Sequence, residues 1–289
     1  MTIRFPIAIA GIALAILPAR ADPITITDHE GRIVTLAKPA ERIASIPIPM
    51  ASTIIAMDGG TSKLVGMNPT AKSAIIEGVL GKIFPEAKDI ASDITAPNFI
   101  PNVEELAATN PELVIQWADR GPDLVDPIVN AGLTALLISY GTEEKAKQYQ
   151  AMVATAMGKP ERAAMINGWR DQVAADMAAR SKDIPAEKKP KILYLGRALE
   201  ALTASGDKGN YNAFYINLVG ATSASADVQG QGTTISPEQI AEWNPDVILL
   251  NSFEAKLDGI RPASVCHATL RRLDAGRPSE SPANQGRCC

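Results

Sequence analysis

The side chains of this chain best suited to chemistry are aromatic rings and guanidinium groups. Trp117, Tyr140 and Tyr211 offer flat apolar faces with a polar edge, and Arg120 and Arg197 carry a permanent charge on forked donors. Such a set grips an anionic chelate; it has no means of breaking a bond. Groups for catalysis are scarce. His29 is the only histidine before residue 260, and no cysteine lies between Asp22 and Ile260. The main body of the chain therefore has no credible Ser-His-Asp or Cys-His set and no His-rich zinc site. Gly230-Gln231-Gly232 is a lone pair of glycines, and neither a P-loop nor a GxGxxG fingerprint occurs. The shortage of His and Cys also disfavours a bare transition-metal ion. The reading is a binding protein with no cofactor of its own.

These residues are selected by their place in an α/β pattern. In a parallel α/β lobe the loops beyond the carboxyl ends of the strands face the ligand. That rule picks Pro49 and Met50, Asn68, Trp117 and Arg120, Tyr140, Arg197, and Asn210 with Tyr211. The α/β pattern itself is signalled by a repeat. Glu104 to Ile115 aligns with Glu238 to Leu249, with four of twelve positions identical. Each copy opens on a capping side chain, Asn102 or Ser236, followed three residues later by Glu105 or Gln239, as in a capping box. Each helix stops at Asn-Pro, because Asn tolerates a left-handed helix end and Pro cannot continue the helix. A short apolar run follows in both copies and reads as a buried parallel strand. One helix-to-strand unit recurring at domain-sized spacing predicts two similar α/β lobes.

Around the first copy, residues 24–36 alternate apolar and polar about a Gly-ended turn and read as a hairpin. Strands are expected at 42–46, 63–67 and 133–139, and helices at 50–57, 73–82 and 125–131. Thr142 caps a helix stopped by Gly158, and Pro160 opens a longer one reaching about Lys182. The apolar positions Ile166, Trp169, Val173 and Met177 of that helix share one face. Its length suffices to join the lobes. Residues 191–195 begin the second lobe, and 211–218 look helical.

The ends differ from the middle. Arg4, an apolar stretch from Phe5 to Leu17 and Ala19-Arg20-Ala21 form a secretory signal over residues 1–21. Cleavage is expected after Ala21, giving a soluble protein outside the cytoplasm. A formal charge of −4 and a pI near 5.4 leave no basic stripe for nucleic acid. All lysines precede residue 260, whereas Arg261, Arg271, Arg272, Arg277 and Arg287 and all 3 cysteines lie after it. That switch suggests a shifted frame or a divergent C-terminus. The organisation expected is thus a lobe at 22–141, a helical linker at 142–187, an apparently truncated lobe at 188–260 and an atypical tail at 261–289.

Thr27 to Leu36, the Arg42-Ile-Ala-Ser-Ile46 strand, Asn102-Val-Glu-Glu-Leu-Ala with Asn110-Pro-Glu-Leu-Val-Ile, and Asn244-Pro-Asp-Val-Ile together resemble the periplasmic substrate-binding proteins of the iron-siderophore, haem and cobalamin class. The resemblance implies two Rossmann-like lobes joined by a long α-helix and small closure on binding. It also implies a monomer that hands an intact ferric chelate, or cobalamin, haem or another metal complex, to an inner-membrane ABC permease. Where that class commonly has Thr-Glu after the first strand, with the Glu docking on the permease, this chain has Ser52-Thr53.

Overall fold

The computed structural model describes residues 22–196, 201–208 and 210–251. The expected signal segment, Arg197 and the tail after residue 260 lie outside the described residues. The first lobe begins with an antiparallel hairpin, β1 (Ile24–Thr27) and β2 (Ile33–Leu36). There follow β3 (Ile43–Ser45), α1 (Ile48–Asp58), β4 (Leu64–Met67), α2 (Pro69–Glu77) and α3 (Val79–Ile83). The lobe is completed by α4 (Val103–Ala108), β5 (Leu113–Trp117), α5 (Asp126–Asn130) and β6 (Ala135–Ile138). Its sheet is parallel with the order β4-β3-β5-β6. Both central strands are buried at every position, which is why they are mostly apolar, with Ser45 and Gln116 as the buried polar exceptions. Alternate residues enter opposite cores. Ile43, Leu113 and Ile115 join Met50, Ile54 and Met57 of α1 on one face, and Ala44 and Val114 join Leu106 and Ile128 on the other.

The hairpin has a specific task. His29 N–H donates to the Leu137 carbonyl at 3.1 Å, the Arg32 guanidinium reaches the Ala135 carbonyl at 2.6 Å, and His29 Nδ1 accepts from Ser139 N–H at 2.7 Å. The turn thereby occupies the outer edge of β6, where an open strand edge would invite aggregation. The single helix expected at 73–82 is instead α2 and α3, broken at Gly78. A Cβ there would lie 2.7 Å from the Ala74 carbonyl oxygen, so the chain can bend at that point only with glycine. Helix α2 also begins earlier than expected, because Asn68 caps it.

Two helices link the lobes, α6 (Glu143–Ala156) and α7 (Pro160–Ser181). Thr142 Oγ1 accepts from Lys145 N–H at 3.1 Å, and Gly158 turns the chain at φ 70°. The 22 residues of α7 rise about 33 Å at 1.5 Å each. Its first turn is tied to α1, through Lys159 Nζ on the Asp58 carboxylate at 2.7 Å and Arg162 on the Ala56 carbonyl at 2.9 Å. Its last turn meets the second lobe, where Ser181 Oγ lies 3.5 Å from the Leu218 carbonyl. Only part of the expected apolar face is turned inward. Ile166 packs on the first core, but Trp169 is 63% exposed, and Arg170 occupies the inner position instead.

The second lobe comprises β7 (Lys191–Leu195), β8 (Thr203–Ala204), α8 (Tyr211–Leu218), β9 (Thr222–Ser223), β10 (Thr233–Thr234), α9 (Pro237–Trp243) and β11 (Val247–Leu250). Strands β11-β7-β9 form a parallel sheet, and β8 pairs antiparallel with β10. Its core gathers Leu193, Leu195, Ala204 and Ile240. The repeat is visible in three dimensions: Asn110 and Asn244 end their helices at φ 47° and 45°, and both lead into strands paired in parallel with the first strand of their parallel sheet, β3 and β7. The capping is unequal. Ser236 Oγ accepts from Gln239 N–H at 3.2 Å, whereas the Asn102 side chain makes no cap bond. Strand β5 lies between β3 and β6, but among the described residues β11 is outermost in its sheet, with Val247 and Leu249 43% and 44% exposed.

Candidate ligand-binding site

A run of aromatic rings crosses from the carboxyl-end side of the first lobe's sheet, beyond β5 and β6, to the start of α8 in the second lobe. Phe99 meets Trp117 edge-on at 6.0 Å between centroids, and Trp117 meets Tyr140 edge-on at 6.3 Å. Tyr140, following β6, stacks on Tyr211 at the start of α8, with centroids 5.3 Å apart and planes 19° from parallel. Tyr215, one turn along α8, lies 4.9 Å from Tyr211 and 5.3 Å from Phe214. Edge-to-face and offset contacts are the preferred aromatic geometries. Tyr140 remains 47% exposed and Tyr215 41%, so this wall still presents ring surface to solvent.

A cation stands at each end of the run. The Arg120 guanidinium lies over the Phe99 ring at 4.5 Å and over Trp117 at 5.3 Å. It is exposed and makes no ion pair with any described residue. Arg170 of α7 is held by both oxygens of Glu143, with Nε to Oε1 at 2.8 Å, and its Nη2 donates to Tyr211 Oη at 2.6 Å. The Glu143 hydrogen bond holds the Arg170 charge on even more firmly than usual, against the cost of burial. Burial is the largest cause that raises the Tyr140, Tyr149, Tyr194 and Tyr211 phenols, Tyr149 to about 12. These phenols therefore stay protonated at physiological pH and act as neutral groups. Trp117 Nε1 is buried without an acceptor among the described residues.

The loop carrying Phe99 is strained. Asn98 and Phe99 both have positive φ, at 61° and 67°, a conformation that costs a bulky residue of order 1–3 kcal/mol and persists only where its surroundings impose it. Gln116 Nε2 donates to the Phe99 carbonyl at 3.0 Å, and Thr95 Oγ1 to that of Ile100 at 2.9 Å. These bonds hold the Phe99 ring beneath Arg120.

Trp117, Arg120, Tyr140 and Tyr211 are thus brought together as the sequence pattern predicts. Three other selected residues have different work. Met50 is fully buried in the core against α1's neighbours, because helix α1 starts at Ile48 and turns it inward. Asn68 is buried, and its Oδ1 accepts from Thr70 N–H at 2.9 Å to cap α2. Asn210 Oδ1 accepts from Asn212 N–H at 2.9 Å to cap α8. Pro49 is half-buried at the start of α1, and its carbonyl takes the Ser52 and Thr53 hydroxyls. Arg197 lies outside the described residues. Phe99, Glu143, Arg170 and Tyr215 join the site without having been selected; for Tyr215 the signal was its i+4 spacing from Tyr211, which places both rings on one helix face. A groove between Arg42, Thr61, Glu86 and Glu105 opens at the amino ends of the strands, away from the aromatic wall. Among the described residues no cluster of His, Cys, Asp and Glu is suited to a metal ion, and no helix is long and apolar enough to cross a membrane.

Comparison with known proteins agrees with this architecture. A periplasmic solute binding protein from Veillonella parvula DSM 2008 is 30% identical, with a TM-score of 0.70 over 88% of this chain and 75% of that one. The TroA-like periplasmic binding protein FepB from Veillonella parvula is 25% identical, with a TM-score of 0.61 over 89% and 80% of the two chains. The heme binding protein HmuT, 21% identical with a TM-score of 0.61 over 83% and 75%, shares the fold. No curated protein matches the chain. The model of the family described as periplasmic binding protein matches residues 100–260, a span that takes in the site's Trp117, Arg120, Tyr140, Arg170 and Tyr211. With two parallel α/β lobes, a long connecting helix and the family's own sequence pattern over more than half its length, the chain belongs to the periplasmic binding proteins, the solute receptors of ABC transporters.

Proposed function

We propose that the protein binds an iron(III) chelate of the siderophore type against the aromatic wall between its lobes and delivers it to an inner-membrane ABC importer. The observation that carries this reading is Arg120, a guanidinium without a carboxylate partner among the described residues, lying on rings that continue across both lobes. Ring faces suit the organic shell of a chelate, and an unpaired cation suits its negative charge. The protein acts as a receptor and not as an enzyme. It works in the periplasm as a monomer, after cleavage of residues 1–21 behind Ala21. Mass spectrometry of the exported chain tests that cleavage, and a mature protein starting at Met1 would refute it.

The binding test is a titration followed by tryptophan fluorescence, with a ferric tris-catecholate, a ferric tris-hydroxamate, haem and cobalamin in turn. Saturable quenching by a ferric chelate, largely lost in Trp117→Phe, is the expected result. A flat tetrapyrrole would stack on the same rings, so saturation by haem or cobalamin alone would replace the chelate by that ligand. Quenching by none of the four would overturn the reading.

A further inference from the structure

Strand β5 reads Leu-Val-Ile-Gln-Trp, and the Gln116 side chain near its carboxyl end is fully buried. An amide in such a place costs stability unless its polar atoms find partners. Here they do. Nε2 donates to the Phe99 carbonyl at 3.0 Å and to the Leu124 carbonyl at 3.2 Å, while Oε1 accepts from Trp117 N–H at 2.8 Å. Both hydrogens of the amide are therefore used, and only one orientation of the group works. Turned over, it would set its oxygen against two carbonyls and its nitrogen against an N–H. The two carbonyls belong to different loops. Phe99 lies in the loop closed by the bridge between Thr95 and Pro101, and Leu124 ends the loop that leaves β5 and carries Arg120. That second loop is also tied at its start, where Ala118 N–H donates to the Ile138 carbonyl at 2.8 Å. The loops meet where the Arg120 guanidinium lies over the Phe99 ring at 4.5 Å.

We infer that Gln116 is a positioning residue that sets the seat of Arg120: by fixing the Phe99 loop and the Arg120 loop to one strand end, it preforms the first lobe's half of the site for an anionic ligand. The inference rests on the proposed chelate-binding role and adds the residue that determines where the cation stands. The strain at Asn98 and Phe99 calls for such a hold, since backbone at φ 61° and 67° relaxes once its ties are cut. With both loops already ordered, the ligand does not have to order them, and that entropy is not subtracted from its affinity. Gln116 is 0% exposed and so cannot touch a ligand itself. Its effect on binding must pass through the residues it holds.

The test is a double-mutant cycle on the full chain with Gln116→Met and Arg120→Ala, using a trianionic ferric tris-catecholate as probe. Methionine keeps the length of the side chain and has no donor for either carbonyl. Gln116→Met should weaken binding about tenfold in the wild-type background, through the loss of two hydrogen bonds. Beside Arg120→Ala it should weaken binding less than about twofold, because the cation it positions is gone. Circular dichroism checks that each variant is folded. A second measurement needs no variant and decides the matter if Gln116→Met does not fold. In the free wild-type protein the Gln116 side-chain amide hydrogens, followed by NMR, should exchange slowly with solvent, and they should stay protected on saturation with the diamagnetic gallium(III) tris-catecholate. An affinity loss below about twofold in folded Gln116→Met, equal weakening in both backgrounds, or an amide that exchanges as fast as an exposed glutamine would overturn the inference while leaving chelate binding intact. If the wild-type protein binds no chelate, the functional reading falls instead, and slow exchange would still support the hold of Gln116 on the two loops.

Discussion

Arg120→Ala separates a residue kept for binding from one kept for folding. In the free protein Arg120 is exposed, has no ion pair among the described residues, and contributes only its contact over Phe99 at 4.5 Å and Trp117 at 5.3 Å. An exposed cation–π contact is worth about 0.5–1 kcal/mol, so stability should fall by no more than about 1 kcal/mol. For a two-lobed chain of this size that is roughly 2–4 °C in Tm. In the complex proposed above the same guanidinium would meet an anionic ligand, and a hydrogen bond involving a charged group contributes about 1.5–3 kcal/mol. Affinity for a ferric tris-catecholate should therefore drop from about tenfold to more than a hundredfold at 1.4 kcal/mol per decade. Arg120→Lys keeps the charge but loses the flat face over Phe99, and should fall between the two. Isothermal titration at low salt gives the affinities and parallel thermal melts give the stabilities. The difference should shrink as salt rises, because exposed charges are screened beyond about 10 Å at 0.1 M. An affinity loss below about threefold in a folded variant, or a stability loss above about 2 kcal/mol, would refute the reasoning and make Arg120 a structural residue.

Gly158→Ala should destabilise by about 2–4 kcal/mol in urea unfolding, because alanine pays about 1–2 kcal/mol at φ 70° and its Cβ would lie 2.7 Å from Pro39 Cγ. A change under about 0.5 kcal/mol would show that the α6–α7 turn relaxes freely. Burial, the largest influence on His29, holds its pKa below the ordinary value of 6.5, so the unfolded chain binds that proton more tightly. The His29 contribution to stability is then fully present above the ordinary value and is lost as pH falls below it. A histidine NMR titration with His29 at or above its ordinary value would contradict this. Asp58→Asn should cost about 1 kcal/mol and flatten the acid side of the stability profile. Burial alone would raise that carboxyl, but the hydrogen bonds from Lys159 and Ser62 outweigh it and hold it low, and Lys159 is exposed enough that solvent screens part of the gain. Its stabilisation is present above the ordinary carboxylate range and fades as pH drops through the folded value. Indistinguishable acid limbs for the variant and wild type would rule the pair out as a stabilising tie.

Local chemistry was enough to read most of the elements. Asn110 and Asn244 end their helices in the left-handed region, Thr142 caps α6, Gly158 stops it, and α8 runs over the predicted residues 211–218. Each of these rests on backbone preferences and side-chain reach within a few residues, which the order of residues alone specifies. The strand-end rule likewise brought Trp117, Arg120, Tyr140 and Tyr211 to one place, because parallel strands must present their carboxyl ends together. Tertiary structure decided what depends on distant partners. Asn68 could have served a ligand or a cap, and the start of α2, earlier than expected, made it a cap. The stripe on α7 identified an apolar face without fixing its rotation, since a period gives relative positions only. Glu143 set that rotation. By capturing Arg170 it turned Trp169 outward, for a buried guanidinium without its carboxylate would cost more than an exposed indole.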